Sequence, residues 1–230
     1  MWQASPNASG APESDANMDK REQFLHDLRG ENRQAALLIA QVGGMPTELQ
    51  LVIQIADYDE QAGGLRPLRS YIIRASGVLE HHISTLGTTV DEVHLLHEHP
   101  LLYSYVEPPA AVFFRGSASN APVLLLDLMQ AHASTFGPWR RFPEFFNVEQ
   151  PLLSLLQSGG GLLGQMPESL ARRVVAALEH HKLEHKVMVG TPHVDTSKNP
   201  YLQGAPLSLL LLGDSYVIAY AFSFDEMGKV

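Results

Sequence analysis

Four histidines stand where imidazole chemistry could gather. A helix expected near Ala121–Phe136 collects Leu125, Leu128, Met129 and Phe136 on one face, with His132 at its centre. A helix expected from Pro167 to about Leu183 groups Leu170, Val174, Ala177 and Leu178 with His181. A third, over Thr88–His99, sets Val90, Val93 and Leu96 beside His97, with His94 one turn back. His82 borders the stripe of a fourth. A zinc ion needs three or four N or O donors converging at about 2.0–2.2 Å. One inward His from each of several helices could provide them, and His94 with His97, at i and i+3, could provide two from one helix. His94, His97, His132 and His181 are therefore the candidate set for a divalent transition metal. One of them acting alone as general base is the metal-free version of the same idea.

The plainer explanation is a set of buried, hydrogen-bonded core imidazoles, and it is preferred. No His-Glu-x-x-His pattern occurs, and no stripe carries an inward carboxylate of the kind a di-metal site needs. His180, His181 and His185 also suit the negative end of a helix for electrostatic reasons alone. No cofactor is expected.

The segment Trp139-Arg140-Arg141-Phe142, followed by Phe145-Phe146, is the second candidate. Aromatic and guanidinium groups together can bind anions or stack bases, and they mark protein interfaces. In a chain of net charge −9, an aromatic cover over the core, with its arginines partnering carboxylates, is favoured over nucleic-acid binding. Phosphate contacts need clustered Lys and Arg, and only the doublets Arg140-Arg141 and Arg172-Arg173 occur. Trp139, Arg140, Arg141 and Phe142 are the residues expected to meet a partner or ligand.

Two other patterns carry less. Gly159, Gly161 and Gly164 satisfy G-x-G-x-x-G, which has meaning only directly between a strand and a helix. The preceding run is Leu-rich and the helix starts late, so a flexible turn is expected. Asp57, Asp59 and Glu60 do not meet the calcium-loop spacing and read as a solvated turn. There is no nucleophile elbow and no phosphate-binding loop. With no cysteine in 230 residues, thiol nucleophiles, thiolate metal sites and disulfides are excluded.

The elements that must position these residues follow from periodicity. Residues 1–19, rich in Ser, Ala, Asn, Pro and Gly, read as a disordered tail with no secretory or organelle signal. Asn7-Ala8-Ser9 is taken as a chance match to a glycosylation site. Helix is expected over Lys20–Gln41, broken at Gly30; strand over Leu49–Ala56; and helix over Pro67–Leu86, where Leu68, Ile72, Ala75, Leu79, Ile83 and Leu86 share a stripe. A strand over Tyr71–Leu79 is the competing reading. Thr89-x-x-Glu92 looks like a capping box. Strands are expected at Ala110–Arg115 and His185–Val189, and a hairpin at Leu207–Leu212 and Ser215–Phe224. Leu152–Leu156 fits either state.

Helices and strands do not strictly alternate, and the chain closes on antiparallel strands. That order implies a single α+β domain over 20–230, with about five mixed or mainly antiparallel strands covered by helices. With 45% hydrophobic and 18% charged residues the chain has ample material for a core. No apolar run approaches the roughly 20 residues that span a bilayer, so a soluble, cytoplasmic protein without membrane or nucleic-acid partners is expected. The leading functional expectation is a non-catalytic binding protein acting through the aromatic segment. The alternative is a His-dependent, metal-assisted enzyme.

Overall fold

A computed structural model describes residues 19–29, 33–45, 47–61, 63–84, 86–87, 89–90, 92–193 and 206–227. The expected tail, Asp19 apart, and the Asn7–Ser9 triplet lie outside them, as does Gly30. The architecture is α+β, with a C-terminal hairpin. Among the described residues, ten strands form two sheets, one of seven strands and one of three, where about five strands had been expected. The chain separates into two compact units. Unit 1 comprises 1–93, 211–217 and 222–230, and unit 2 comprises 94–210 and 218–221.

Unit 1 opens with helix α1 (Lys20–Leu28), followed by strands β1 (Arg33–Val42), β2 (Glu48–Asp59) and β3 (Gly64–His82). The three strands form an antiparallel meander. Here two helix expectations fail. Lys20–Gln41 is helical only to Leu28, and the stretch expected as helix from Pro67 is strand as far as His82. In β3, Tyr71, Ile73 and Ala75 are buried while Arg74 and Ser76 are exposed, the period of two that a sheet face imposes. The stripe at helical spacing was a by-product of apolar density. Pro67 is tolerated because it lies opposite the irregularity between Ile55 and Ala56, where it interrupts no regular ladder.

The capping-box helix fails too. Thr89–Val90 is strand β4, paired with β1, and Val93–Leu96 is strand β5. Ladder pairing outweighed a local cap signal. The larger sheet has the order β4-β1-β2-β3-β10-β9-β5, where β9 is Ser208–Leu212 and β10 is Ser215–Met227.

One buried ionic network pins α1 to its sheet. Asp27 accepts from the Tyr71 hydroxyl at 2.5 Å and from Arg69 Nη1 at 3.2 Å. Arg33 Nη1 donates to the Asp27 carbonyl at 2.8 Å. Phe24, one turn before Asp27, packs between Tyr71 and Phe224 with ring centroids 5.1 Å from each.

Unit 2 carries the smaller sheet, of order β7-β6-β8, with β6 Pro109–Arg115, β7 Gly160–Pro167 and β8 Glu184–Val189. Its helices are α2 (Tyr103–Val106), α3 (Ala121–Phe136), α4 (Leu152–Gln157) and α5 (Glu168–His180). Ala110, Val112 and Phe114 of β6 join Leu124, Leu128, Leu170, Val174 and Leu178 of α3 and α5 in one core. Asn120 caps α3 by accepting from Val123 N at 3.3 Å, as the sequence suggested. The glycine run, expected as a flexible turn, is mostly strand. Gly160 lies so close to β6 that a Cβ there would stand 2.7 Å from the Phe114 carbonyl oxygen.

Candidate functional site

The four candidate metal ligands do not come together. His94 and His97 lie on or next to β5 and are exposed. His97 Nδ1 meets the Ser208 hydroxyl at 3.1 Å. His82 is an exposed strand residue beside Tyr216. His132 and His181 do lie at helical positions on α3 and at the C-cap of α5, but in separate surroundings. Among the described residues, the one group of three metal-binding side chains whose ligand atoms all lie within 4.8 Å of one another is Asp127, His180 and His181. Only His181 is common to both sets.

His132 is only 4% exposed. Its ring sits among Phe136, Phe142 and Phe145, with centroids 5.2, 5.6 and 6.0 Å away. Nε2 has no hydrogen-bond partner, while the Arg141 carbonyl accepts from the ring's other edge. Burial holds the imidazole below its ordinary pKa, against smaller opposing effects of the Glu144 carboxylate and that carbonyl. His132 is thus a neutral aromatic member of the core, shut off from solvent by the segment that follows α3.

That segment is built as a cover. Gly137 ends α3 with a positive φ of 57°, and the chain turns back through Trp139. The indole meets His99 edge-on at 5.3 Å, and burial lowers the His99 pKa. Arg140 is largely buried and lies 3.8 Å from the Glu144 carboxylate. Arg141 is exposed, and its N–H donates to Glu144 Oε1 at 3.1 Å. These bonds close the short 3₁₀ turn Phe142–Phe145. Phe142 packs on Phe146 at 4.4 Å, and Phe145 stacks on Phe136 at 4.8 Å. Of the four residues expected to meet a partner, Trp139, Arg140 and Phe142 face largely inward, and only Arg141 is exposed.

The cover then runs along β7, which is an edge strand. Phe146 bridges Gly164 in antiparallel fashion, and Asn147 N donates to the Leu163 carbonyl at 2.8 Å. The approach is so tight that a Cβ on Gly164 would stand 2.0 Å from the Phe145 carbonyl oxygen. Gly164 is there to let the cover dock, and the dinucleotide pattern is incidental.

Two depressions flank this segment. One, of about 580 Å³, reaches from Glu107 and Pro109 to Phe145–Glu149 and along Gly164–Pro167 of β7. The other, of about 440 Å³, lies between Phe142–Pro143 and Phe146–Leu152. They share Phe146, Asn147, Val148 and Glu149 as a common wall. Val148, at its crest, is 76% exposed. The ionisable groups of the larger cleft are Glu107, Glu144, Glu149 and His193. Glu107 is committed to structure, because its carboxylate accepts from Ser169 N at 2.8 Å in the first turn of α5. An apolar floor with an acidic rim suits a ligand that is both apolar and positively charged.

Sequence reasoning found the aromatic cover and missed the cleft beside it. Val148, Gln165 and Met166 carry no motif, and only strand pairing brings them together. Asp127 was also passed over, although it is the sole acidic residue in α3. Compared with protein-family models, curated proteins and solved structures, the chain finds no match. No helix among the described residues is long and apolar enough to cross a membrane.

Proposed function

We propose that this chain is a non-catalytic binding protein whose larger cleft takes an extended, apolar and basic segment of a partner protein. The observation that carries this reading is the half-covered edge of β7. The chain's own segment 145–147 pairs along Leu163–Gly164, and the cleft opens where that cover ends, along Gln165–Pro167. An edge strand offers backbone donors and acceptors that an incoming strand can use. Beside that edge, Val148 and Leu162 offer apolar contact, and the Glu149 carboxylate favours Lys or Arg on the guest. A His-dependent enzyme is the second reading. One observation favours it, the Asp127–His181 contact at 2.8 Å, which has the form of a carboxylate-oriented imidazole.

The test is selection of a random peptide library on the full chain, followed by amide NMR mapping of a selected peptide. Enriched peptides should alternate apolar residues with Lys or Arg, and amide shifts should concentrate at Gln165, Met166 and Val148. Glu149→Lys should weaken binding several-fold. Selection without enrichment, or shifts mapping away from β7, would overturn the reading.

A further inference from the structure

From the geometry of α3 and α5 we infer a binding site for one divalent transition-metal ion, with Asp127, His180 and His181 as its protein ligands. The inference is independent of the cleft. Asp127 projects from the middle of α3, and the two histidines end α5, the helix that packs against it. Asp127 Oδ2 lies 2.8 Å from His181 Nε2 and 3.7 Å from His180 Nδ1. Donors around a tetrahedral ion with bonds near 2.1 Å stand roughly 3.4 Å apart. The first distance must therefore widen by about 0.6 Å and the second close by about 0.3 Å. Three protein donors leave a fourth position for water.

The histidines are held by the backbone. His181 is the C-cap of α5, Lys182 N donates to the Glu179 carbonyl at 2.9 Å, and Leu183 N donates to the Leu178 carbonyl at 3.0 Å. This pair of bonds is the helix-ending motif usually completed by glycine. Lys182 takes the left-handed conformation here, with φ of 56°. The site is also open. The His180 side chain is 77% exposed and that of Asp127 33%, whereas that of His181 is 9% exposed. An ion can enter from the His180 side and meet an inner His181. Two imidazoles and one carboxylate favour Zn²⁺, Ni²⁺ or Cu²⁺ over Mg²⁺ or Ca²⁺, which prefer all-oxygen shells. Binding replaces the His181–Asp127 hydrogen bond, so the Nε2 proton must leave that nitrogen, and affinity should fall as pH drops.

The experiment is calorimetric titration of ZnCl₂ into the untagged full chain at pH 7.5, repeated with CoCl₂ to read visible absorption. One ion should bind per chain, Co²⁺ should give the intense bands of a four-coordinate N/O site, and Mg²⁺ should not compete. His180→Gln changes only an exposed side chain, so it should leave the fold intact while weakening Zn²⁺ at least tenfold. Asp127→Asn should do the same, and His94→Gln should change nothing. Absence of a one-to-one step, or a step that survives His180→Gln and Asp127→Asn unaltered, would overturn the inference and leave the trio as a latch between two helices.

Discussion

Asp27 and His132 are both buried ionisable side chains, and the two units treat them in opposite ways. Asp27 in unit 1 is surrounded by donors: the Tyr71 hydroxyl and the guanidinium of Arg69, with Arg33 Nη1 3.9 Å from its other oxygen. Burial and the Asp27 hydrogen bond push the Tyr71 pKa far up, so the phenol stays a donor at any physiological pH. His132 in unit 2 is surrounded by rings, and one of its nitrogens has no partner. A matched buried charge fixes one arrangement, and breaking it leaves partners stranded. An imidazole with an idle nitrogen is instead tolerated only while neutral. Unit 1 is therefore locked by polar pairing, and unit 2 is closed by apolar packing that a single proton opposes.

The largest effect should come from breaking the polar lock. Asp27→Ala leaves the buried Tyr71 hydroxyl without its acceptor and takes one carboxylate partner from Arg69 and Arg33, and it should lower stability by about 3 kcal/mol, measured by urea unfolding. A loss under about 1 kcal/mol would put the network on a par with surface ion pairs and remove the contrast with His132. Next comes the apolar closure. Gly164→Ala places a methyl group where the Phe145 carbonyl oxygen stands, which should cost roughly 2–3 kcal/mol and bare the aromatic cover. Near-ultraviolet circular dichroism should lose its aromatic signal in step. Unchanged spectra and stability would mean that the cover does not dock on β7 as described.

The smallest effect separates the two units by pH. The folded pKa of His132 lies below its unfolded value near 6.5, so between the two the unfolded chain binds more protons. Stability is then at its fullest above that unfolded value and falls as pH drops toward the folded pKa, levelling off below it. His99 contributes with the same sign. Unfolding free energy should thus be lower at pH 5.5 than at 7.5, and His132→Phe should flatten part of that slope while the His99 part remains. An equal slope in the variant would show that His132 does not carry the dependence.

Legibility in the sequence followed the locality of the signal. Helix α3 could be read because Asn120, Pro122 and Gly137 mark its two ends within the segment itself. The C-terminal hairpin declared itself through Gly213-Asp214 between two apolar runs. By contrast β3 has 19 residues whose strand state is set by β2 beside it, and its apolar density fitted a helical stripe equally well. The same holds for the sites. His132 was legible as a core imidazole because one helix face defines it. Its aromatic surroundings were half legible, since Phe142, Phe145 and Phe146 are close in sequence. The Asp127–His181 pair spans 54 positions, and the cleft joins residues from Ser104 to His193. Nothing short of the fold connects them.

The order of strands in the larger sheet bears on how the chain is made. Strand β10, synthesised after every other strand described here, stands between β3 and β9. Most of unit 2 is one continuous stretch and has all of β6, β7 and β8 in hand by residue 189. Unit 1 must wait for residues 211–217 and 222–230, holding a ready β3 edge unpaired through more than a hundred further residues of synthesis. Pairings between distant parts of a chain form slowly, and a waiting edge can recruit another chain. The open β3 edge thus makes pairing with other chains a hazard of nascent unit 1 more than of the completed sheet.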